Sequence, residues 1–428
     1  MPELSRILRV LRRMAGHLLH LRFRALHREM SRAVSVLLAP LSAGRKRRAL
    51  RVALAGRTSG KRVILFPPTL DYHLPLYQRP QQLARAYSRR PDTLVLYLTA
   101  NTRFDHVSVM EALSPSLLLV NASLACELPA LLQNARQTVL SLSWTANKRY
   151  LPLLRPDRVV YEYIDELSIF DGYDETMERD HAALLKRADL TVCTARALYE
   201  KARALSPRVL LSPNAGDYPF FSATASAPDA PEAAAASARY RFTLGYYGAL
   251  ASWFDYPLLS AAARARPDWL FLLVGMDYDG TLKKSGLLKS PNVLWIPPQP
   301  YSRLPSYLKL FDLALIPFVL NDVTRSTSPV KLFEYMAAQK PILTSDMDEC
   351  RQYRSVARYH GLSDFLAKAE ELLHRRRDPV LLESLHSEAQ ANTWDERAAQ
   401  ILSALDALPS TSDNTESGRA VFARSFSA

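Results

Sequence analysis

Cysteine is scarce in this chain of 428 residues. Cys126, Cys193 and Cys350 are widely spaced and odd in number, which argues against a disulfide framework and suits a reducing compartment. No Cys/His cluster has the spacing of a zinc site. No run of 18 or more apolar residues occurs, which excludes a spanning helix. Acid is almost missing from one region: residues 1–62 hold sixteen Lys/Arg against Glu3 and Glu29, a charge of +14 where the whole chain carries +13. The remainder is near neutral, so the basicity belongs to one arm. What is present is a hydrophobic content of 48%, enough for two domains with cores of their own.

In the arm, residues 1–60, Leu4, Ile7, Leu11, Met14, Leu18 and Leu21 recur at spacings of three and four and fall on one helical face. Arg6, Arg9, Arg12, Arg13 and Arg24 point elsewhere, and Arg45-Lys46-Arg47-Arg48 adds a basic cluster. A basic amphipathic helix of this kind suits an anionic membrane surface. A nucleic-acid arm competes poorly, because only Phe23 is interleaved as an aromatic and the rest of the chain offers no basic groove. A short coiled coil and a targeting peptide with Ala33–Ala43 as its apolar core remain as alternatives.

Past residue 60 short apolar runs alternate with helical periodicity, the pattern of a parallel α/β sheet. Strands are predicted at Arg62–Phe66, Thr93–Tyr97, Thr138–Leu142, Val159–Tyr163, Leu190–Thr194 and Val209–Leu211, with helices at Gln78–Arg89, Glu175–Arg187 and Ala195–Ala204. Ser222–Ala238, mostly Ala, Ser, Pro, Asp and Glu, reads as an interdomain linker or surface loop, bounded at 222–240. A second alternation runs over 241–391, with strands at Arg241–Tyr247, Trp269–Val274, Asn292–Ile296, Leu313–Pro317 and Ile342–Ser345 and a helix at Val330–Ala338. A last helix over about Asn392–Leu408 and a Ser/Thr-rich tail, 409–428, expected to be disordered, complete the chain. The expected fold class is α/β with two tandem Rossmann-like domains, 61–221 and 241–391, and a ligand cleft between the carboxyl ends of the two sheets.

The segment Thr324–Pro341, TRSTSPVKLFEYMAAQKP, carries the most chemistry. Ser326, Thr327 and Ser328 lead into Pro329 and a short helix. The free N–H groups and dipole of that helix favour an anion. Lys331 sits in the first turn, where a cation is unfavourable unless an anion binds. Glu334, on the next turn of the same face, can accept two hydroxyl hydrogen bonds, as a ribose diol supplies. The plain alternative is a capped helix with both residues solvated. Gly248 in Gly245-Tyr-Tyr-Gly248-Ala would let backbone approach a phosphate, or simply makes a tight turn. Asp165 ends the strand VVYEYID facing the cleft and is a candidate general base, with Glu166 beside it. Asp71, near His73, is a second candidate. Asp277 and Asp279, like Asp346 and Asp348, have the spacing of a metal-holding pair but suit turns better.

The segment SPVKLFEYMAAQKPILTS resembles the donor-binding segment of family-4-type (group 1) glycosyltransferases of GT-B fold. FTLGYYGALASWFD, NVLWIPPQPYSRLPSYLKLFDLALIPF and NTWDERAAQIL extend that resemblance. FPPTLDYHLPLYQRPQQLA and VVYEYIDELSIF are similar to a bacterial subgroup typified by teichuronic-acid and exopolysaccharide glycosyltransferases. The resemblance covers roughly residues 62–408. It implies that the donor diphosphate sits on the helix at Lys331 and that Glu334 binds ribose. Many members carry a second Glu where this chain has Ser326, Gly where it has Gln339, and Arg and Lys after the glycine loop where it has Ala251-Ser252-Trp253-Phe254-Asp255. Compensating charge would come from Lys331 and Arg325.

The expectation is a metal-independent hexosyltransferase-type enzyme in cell-surface polysaccharide biosynthesis. It would bind its donor with Gly248, Arg325, Ser328, Lys331 and Glu334. Its substrates would be a nucleoside diphosphate sugar and a glycan or polyprenyl-linked acceptor. It would need no cofactor, bind no nucleic acid, and sit on the inner face of the cytoplasmic membrane through residues 1–60. A sugar-nucleotide epimerase of the same fold and a non-catalytic nucleotide- or glycan-binding scaffold are the alternatives.

Overall fold

A computed structural model describes residues 43–75, 77–170 and 172–409. The apolar pattern from Leu4 to Leu21 and residues 410–428 of the expected tail lie outside the described residues. Eight strands build the first sheet: β1 (Arg62–Phe66), β2 (Thr93–Thr99), β3 (Met110–Ser114), β4 (Leu117–Asn121), β5 (Gln137–Leu142), β6 (Arg158–Tyr163), β7 (Leu190–Cys193) and β8 (Val209–Leu211). Their order is β3-β4-β2-β1-β5-β6-β7-β8. All neighbours are parallel except the edge pair β3–β4. Every residue of β1, β2 and β6 is buried, as parallel strands covered on both faces require.

The second sheet has six parallel strands in the order β11-β10-β9-β12-β13-β14. They are β9 (Phe242–Tyr247), β10 (Trp269–Val274), β11 (Val293–Ile296), β12 (Leu313–Ile316), β13 (Ile342–Ser345) and β14 (Val356–Tyr359). In both sheets the first strand of the domain lies inside and the order reverses beside it. That places a crevice at the carboxyl ends of β1 and β9.

Four helices set the geometry of the cleft: α1 (Arg79–Ser88), α2 (Val330–Ala337), α3 (Pro379–Ala391) and α4 (Trp394–Asp406). The chain passes from the first domain to the second near residues 212–217 and returns near 391–394. The two passes run side by side: Gly216 N–H donates to Asn392 O at 3.1 Å, and Gly216 pairs with Thr393 in a parallel bridge. α4 then packs on α1, burying Trp394, Ala398, Ile401 and Leu405 in the core of the first domain. Burying Ile401 and Leu405 contributes about 1.5–3 kcal/mol each. Ion pairs Arg89–Asp395 (2.8 Å) and Arg62–Asp406 fasten its two ends. The expected return helix is therefore present.

Two expected boundaries change. Residues 222–240 are not a free linker: Pro231–Ser237 is a helix, and Phe221, Ala230 and Ala233 lie in the core of the second domain. Small alanines pack as closely as large side chains, which composition alone hides. The arm also ends earlier than residue 60. Residues 43–54 are helical and bury Leu50 and Leu54 against the first domain. Arg45, Arg48 and Arg51 stay exposed, while Arg47 pairs with Glu127 at 2.9 Å.

Candidate functional site

α2 starts without a side-chain cap. Pro329 precedes it in extended conformation, and the backbone N–H groups of Val330 and Lys331 make no hydrogen bond among the described residues. These are the orphan donors of a helix start, aimed out of the helix with its positive dipole end. Leu332, Phe333, Tyr335 and Met336 are buried, so the helix is held rigidly against the second sheet.

Lys331 reaches back along this N-terminus. Its ammonium lies 5.1 Å from the ring centroids of Tyr246 and Phe318, a cation–π seat, and no carboxylate lies within ion-pairing distance among the described residues. Burial pushes its pKa down to about 8, with the charge of Glu334 opposing the shift. A half-buried cation without a carboxylate partner among the described residues is suited to receive an anion.

Gly248 closes the other side. A Cβ there would fall 3.0 Å from Lys331 Cε, and its φ of +136° is one that L side chains rarely adopt. Behind it Gly275 approaches so closely that a Cβ would fall 1.9 Å from Gly248 O. The glycine loop after β9 and the start of α2 thus close around Lys331.

Glu334 faces the same end of the second domain but is not solvated. Its Oε2 accepts from the Tyr247 hydroxyl at 2.7 Å and its Oε1 from the Tyr301 hydroxyl at 3.0 Å. Gln82 of α1 donates to Tyr301 Oη at 3.2 Å. Burial pushes the Glu334 pKa up to about 7 against the opposing pull of both tyrosines and Lys331. The carboxylate accepts two hydroxyls, as expected, but here they come from tyrosine. Tyr247 and Tyr301 were missed as site residues, although both stand inside the quoted motifs.

Two donor-binding expectations come out differently. Ser328 turns to the first domain: its Oγ accepts from Asn214 N–H at 3.0 Å and its carbonyl accepts from Asn214 Nδ2 at 2.7 Å. Arg325 has an exposed side chain, pairs with Asp322 at 3.4 Å and lines a groove with Arg196, Glu200 and Arg351. The seat around Lys331 leaves the backbone donors and that one ammonium as its positive groups.

On the first domain, Asp165 follows β6 and is half-buried with no hydrogen-bond or ion-pair partner among the described residues. Burial pushes its pKa up to about 6, in the range of a working general base. Its neighbour Glu166 is instead paired with Lys201. Asp71 is corrected. Its carboxylate accepts from the backbone N–H groups of Thr102 (3.0 Å), Arg103 (2.6 Å) and Phe104 (2.7 Å). Burial alone would raise its pKa, but those bonds outweigh it and hold the carboxyl far below the usual range. A saturated, strongly acidic carboxylate anchors a loop and does not take protons. His73 lies nearby, 3.4 Å from Glu111. Asp277 and Asp279 cap the turn and helix start at Thr281 and Leu282, in keeping with turn residues. No group of three or more His, Cys, Asp or Glu side chains suited to a metal ion occurs among the described residues.

Two parallel-sheet domains facing one another, tied by a double crossing and a return helix, define a GT-B fold. Comparison with solved structures agrees: the sucrose-phosphate synthase of Thermosynechococcus elongatus aligns with a TM-score of 0.57 at 16% identity, over 81% of this chain and 98% of that one. Anabaena HepE in complex with UDP aligns at 0.58 and 15% identity, over 81% of this chain and all of that one. Residues 241–375 match the family model Glycosyl transferases group 1, so the resemblance read from the sequence holds and centres on the second domain. Bacillus subtilis TuaH, provisionally assigned as a teichuronic acid biosynthesis glycosyltransferase, is 30% identical over 230 residues, 51% of this chain and 57% of that protein. The match thus spans a little over half the length of that curated relative.

Proposed function

We propose that this chain is a glycosyltransferase that moves a sugar from a nucleoside diphosphate sugar to a glycan or lipid-linked acceptor in cell-surface polysaccharide synthesis. The observation that carries the reading is Lys331: a half-buried ammonium with no carboxylate partner among the described residues, at an uncapped helix N-terminus and against a glycine loop that leaves room only for backbone. Those are the features a diphosphate requires. UDP in HepE and the assignment of TuaH support the class of donor and of product.

In the transfer, the acceptor hydroxyl oxygen bonds to the anomeric carbon as the bond from that carbon to the diphosphate breaks. Lys331 and the α2 amides take up the charge that develops on the leaving diphosphate. Asp165 receives the proton of the acceptor hydroxyl. Glu334 serves the ribose diol, whose hydroxyls replace those of Tyr247 and Tyr301. No step calls for a metal or a cofactor. The basic residues before β1 hold the enzyme on an anionic membrane face; no described helix is long and apolar enough to cross one.

Calorimetric titration with UDP, GDP and ADP, beside Lys331→Met, tests the donor site. Selective binding of one nucleotide, lost by roughly a hundredfold in the variant, is the expected result. Folded protein that binds none of the three would end this reading. A panel of sugar nucleotides with and without acceptor then separates transfer from epimerisation, which consumes no acceptor.

A further inference from the structure

The loop that feeds the donor helix is held from the other domain. Ser328 is buried, and its Oγ and its carbonyl oxygen both accept from Asn214, which lies in the pass between the domains. Asn214 uses its backbone N–H on Ser328 Oγ and its Nδ2 on Ser328 O. Its remaining polar atom, Oδ1, accepts from Arg79 Nη1 at 3.3 Å. Arg79 in turn donates through Nε to Glu162 Oε2 at 2.7 Å and through Nη1 to Pro213 O at 3.2 Å. Pro213 O also accepts from Arg397 Nε of α4 at 2.9 Å.

All four members of the line Glu162–Arg79–Asn214–Ser328 are nearly inaccessible to water. Glu162 is on β6, three residues before Asp165. Ser328 is two residues before α2. The line therefore joins the strand that carries the candidate base to the loop that carries the anion cradle. The pass itself lies hard against α2: a Cβ on Gly216 would fall 3.0 Å from the backbone carbon of Phe333.

We infer that Asn214 is a positioning residue for the donor diphosphate, acting by fixing the Ser328 peptide and hence the free N–H groups that follow it. The inference rests on the donor-site reading above. A buried amide that satisfies two groups of one residue sets that residue's orientation, because leaving either group unpaired in a dry site is costly. Without Asn214 the Ser328 peptide can rotate, and the Val330 and Lys331 amides lose their aim at a phosphate. A misaim of that size weakens binding without touching the acceptor.

The test uses the full chain with UDP, GDP and ADP as probes, in a cycle of Asn214→Ala, Ser328→Ala and the double variant. Asn214→Ala is expected to raise the Kd of the preferred nucleotide about tenfold, and Ser328→Ala severalfold. The double variant is expected to match Asn214→Ala, since both remove one arrangement. In turnover, the donor KM rises while kcat and the acceptor KM hold; a merely structural loss would lower the active fraction and leave KM alone. Wild-type affinity in Asn214→Ala, or effects that simply multiply in the double variant, would overturn the inference. Should Asn214→Ala fail to fold, wild-type affinity in Ser328→Ala overturns it unaided. Retained binding in the Asn214 and Ser328 variants with binding lost in Lys331→Met would sink this inference alone. Wild-type protein that binds no nucleotide would remove the donor site and this inference with it.

Discussion

Asp71 and Asp165 stand at the same rim of the first sheet, each in the loop that follows a central strand, and they meet opposite fates. Four backbone amides, those of Thr102, Arg103, Phe104 and, at 3.4 Å, Asp105, converge on Asp71 and leave it no free role. Asp165 is half-buried, no donor reaches it among the described residues, and burial alone raises its pKa to about 6. Burial is common to both. What differs is whether the ionised form is compensated, and that decides between an anchor and a base.

The sharpest way to break this comparison is Asp165→Asn. If Asp165 takes the acceptor proton, kcat falls by roughly 10²–10⁴-fold. The acid limb of the wild-type rate profile, rising through pH 6 as the carboxylate ionises, disappears from the residual activity. Stability runs the other way. A carboxyl whose folded pKa is raised favours the protonated form, so its ionisation above pH 6 costs folding free energy and the neutral amide should melt no lower than wild type. An unchanged kcat would show a transfer that proceeds without a side-chain base, as retention of anomeric configuration permits.

Asp71→Ala should do the reverse. Four amides lose their acceptor, and unfolding in urea should show a loss of about 3 kcal/mol, with kcat per folded molecule kept. The folded pKa of Asp71 lies below its ordinary 3.8, so its contribution is present above that value and is lost as pH falls beneath it. The acid unfolding midpoint should therefore move upward in the variant. An activity loss larger than the unfolded fraction explains would return Asp71 to the candidates for chemistry.

The smallest effect is expected at the far end of the donor helix. Gln339 adopts φ +51°, a left-handed position that favours glycine. Gln339→Gly should raise stability by up to about 1 kcal/mol in thermal unfolding, partly offset by loss of the contact from its Nε2 to Leu382 O. Nucleotide affinity should not change, because the cradle lies at the opposite end of α2.

Much of the fold was legible before any coordinates. Buried parallel strands must be apolar on both faces, so β1, β2, β6 and β10 read as short continuous runs and their positions were predicted to within two residues. The edge hairpin β3–β4 was not predicted, because Met110–Ser114 is only partly covered and carries Glu111 and Ser114. Residues 222–240 were misassigned because alanine reports nothing about its own burial. At the site, local helix and loop chemistry was enough to single out Gly248, Lys331 and Glu334 as candidates. The tyrosines on Glu334 and the amides on Asp71 were not, since each partner is more than thirty positions away.

The sequence by itself determined the alternation of strand and helix, the two Rossmann-like units, the basic leading segment and the cation at a helix start. All of these depend on neighbours within a few residues, where periodicity and backbone chemistry act. Tertiary structure alone decided which of two aspartates keeps a carboxylate without a donor among the described residues, that Glu334 accepts from two tyrosine hydroxyls, and that Asn214 holds Ser328, 114 positions away. Protonation and orientation depend on what surrounds a group in space, and only the packed chain brings those surroundings together.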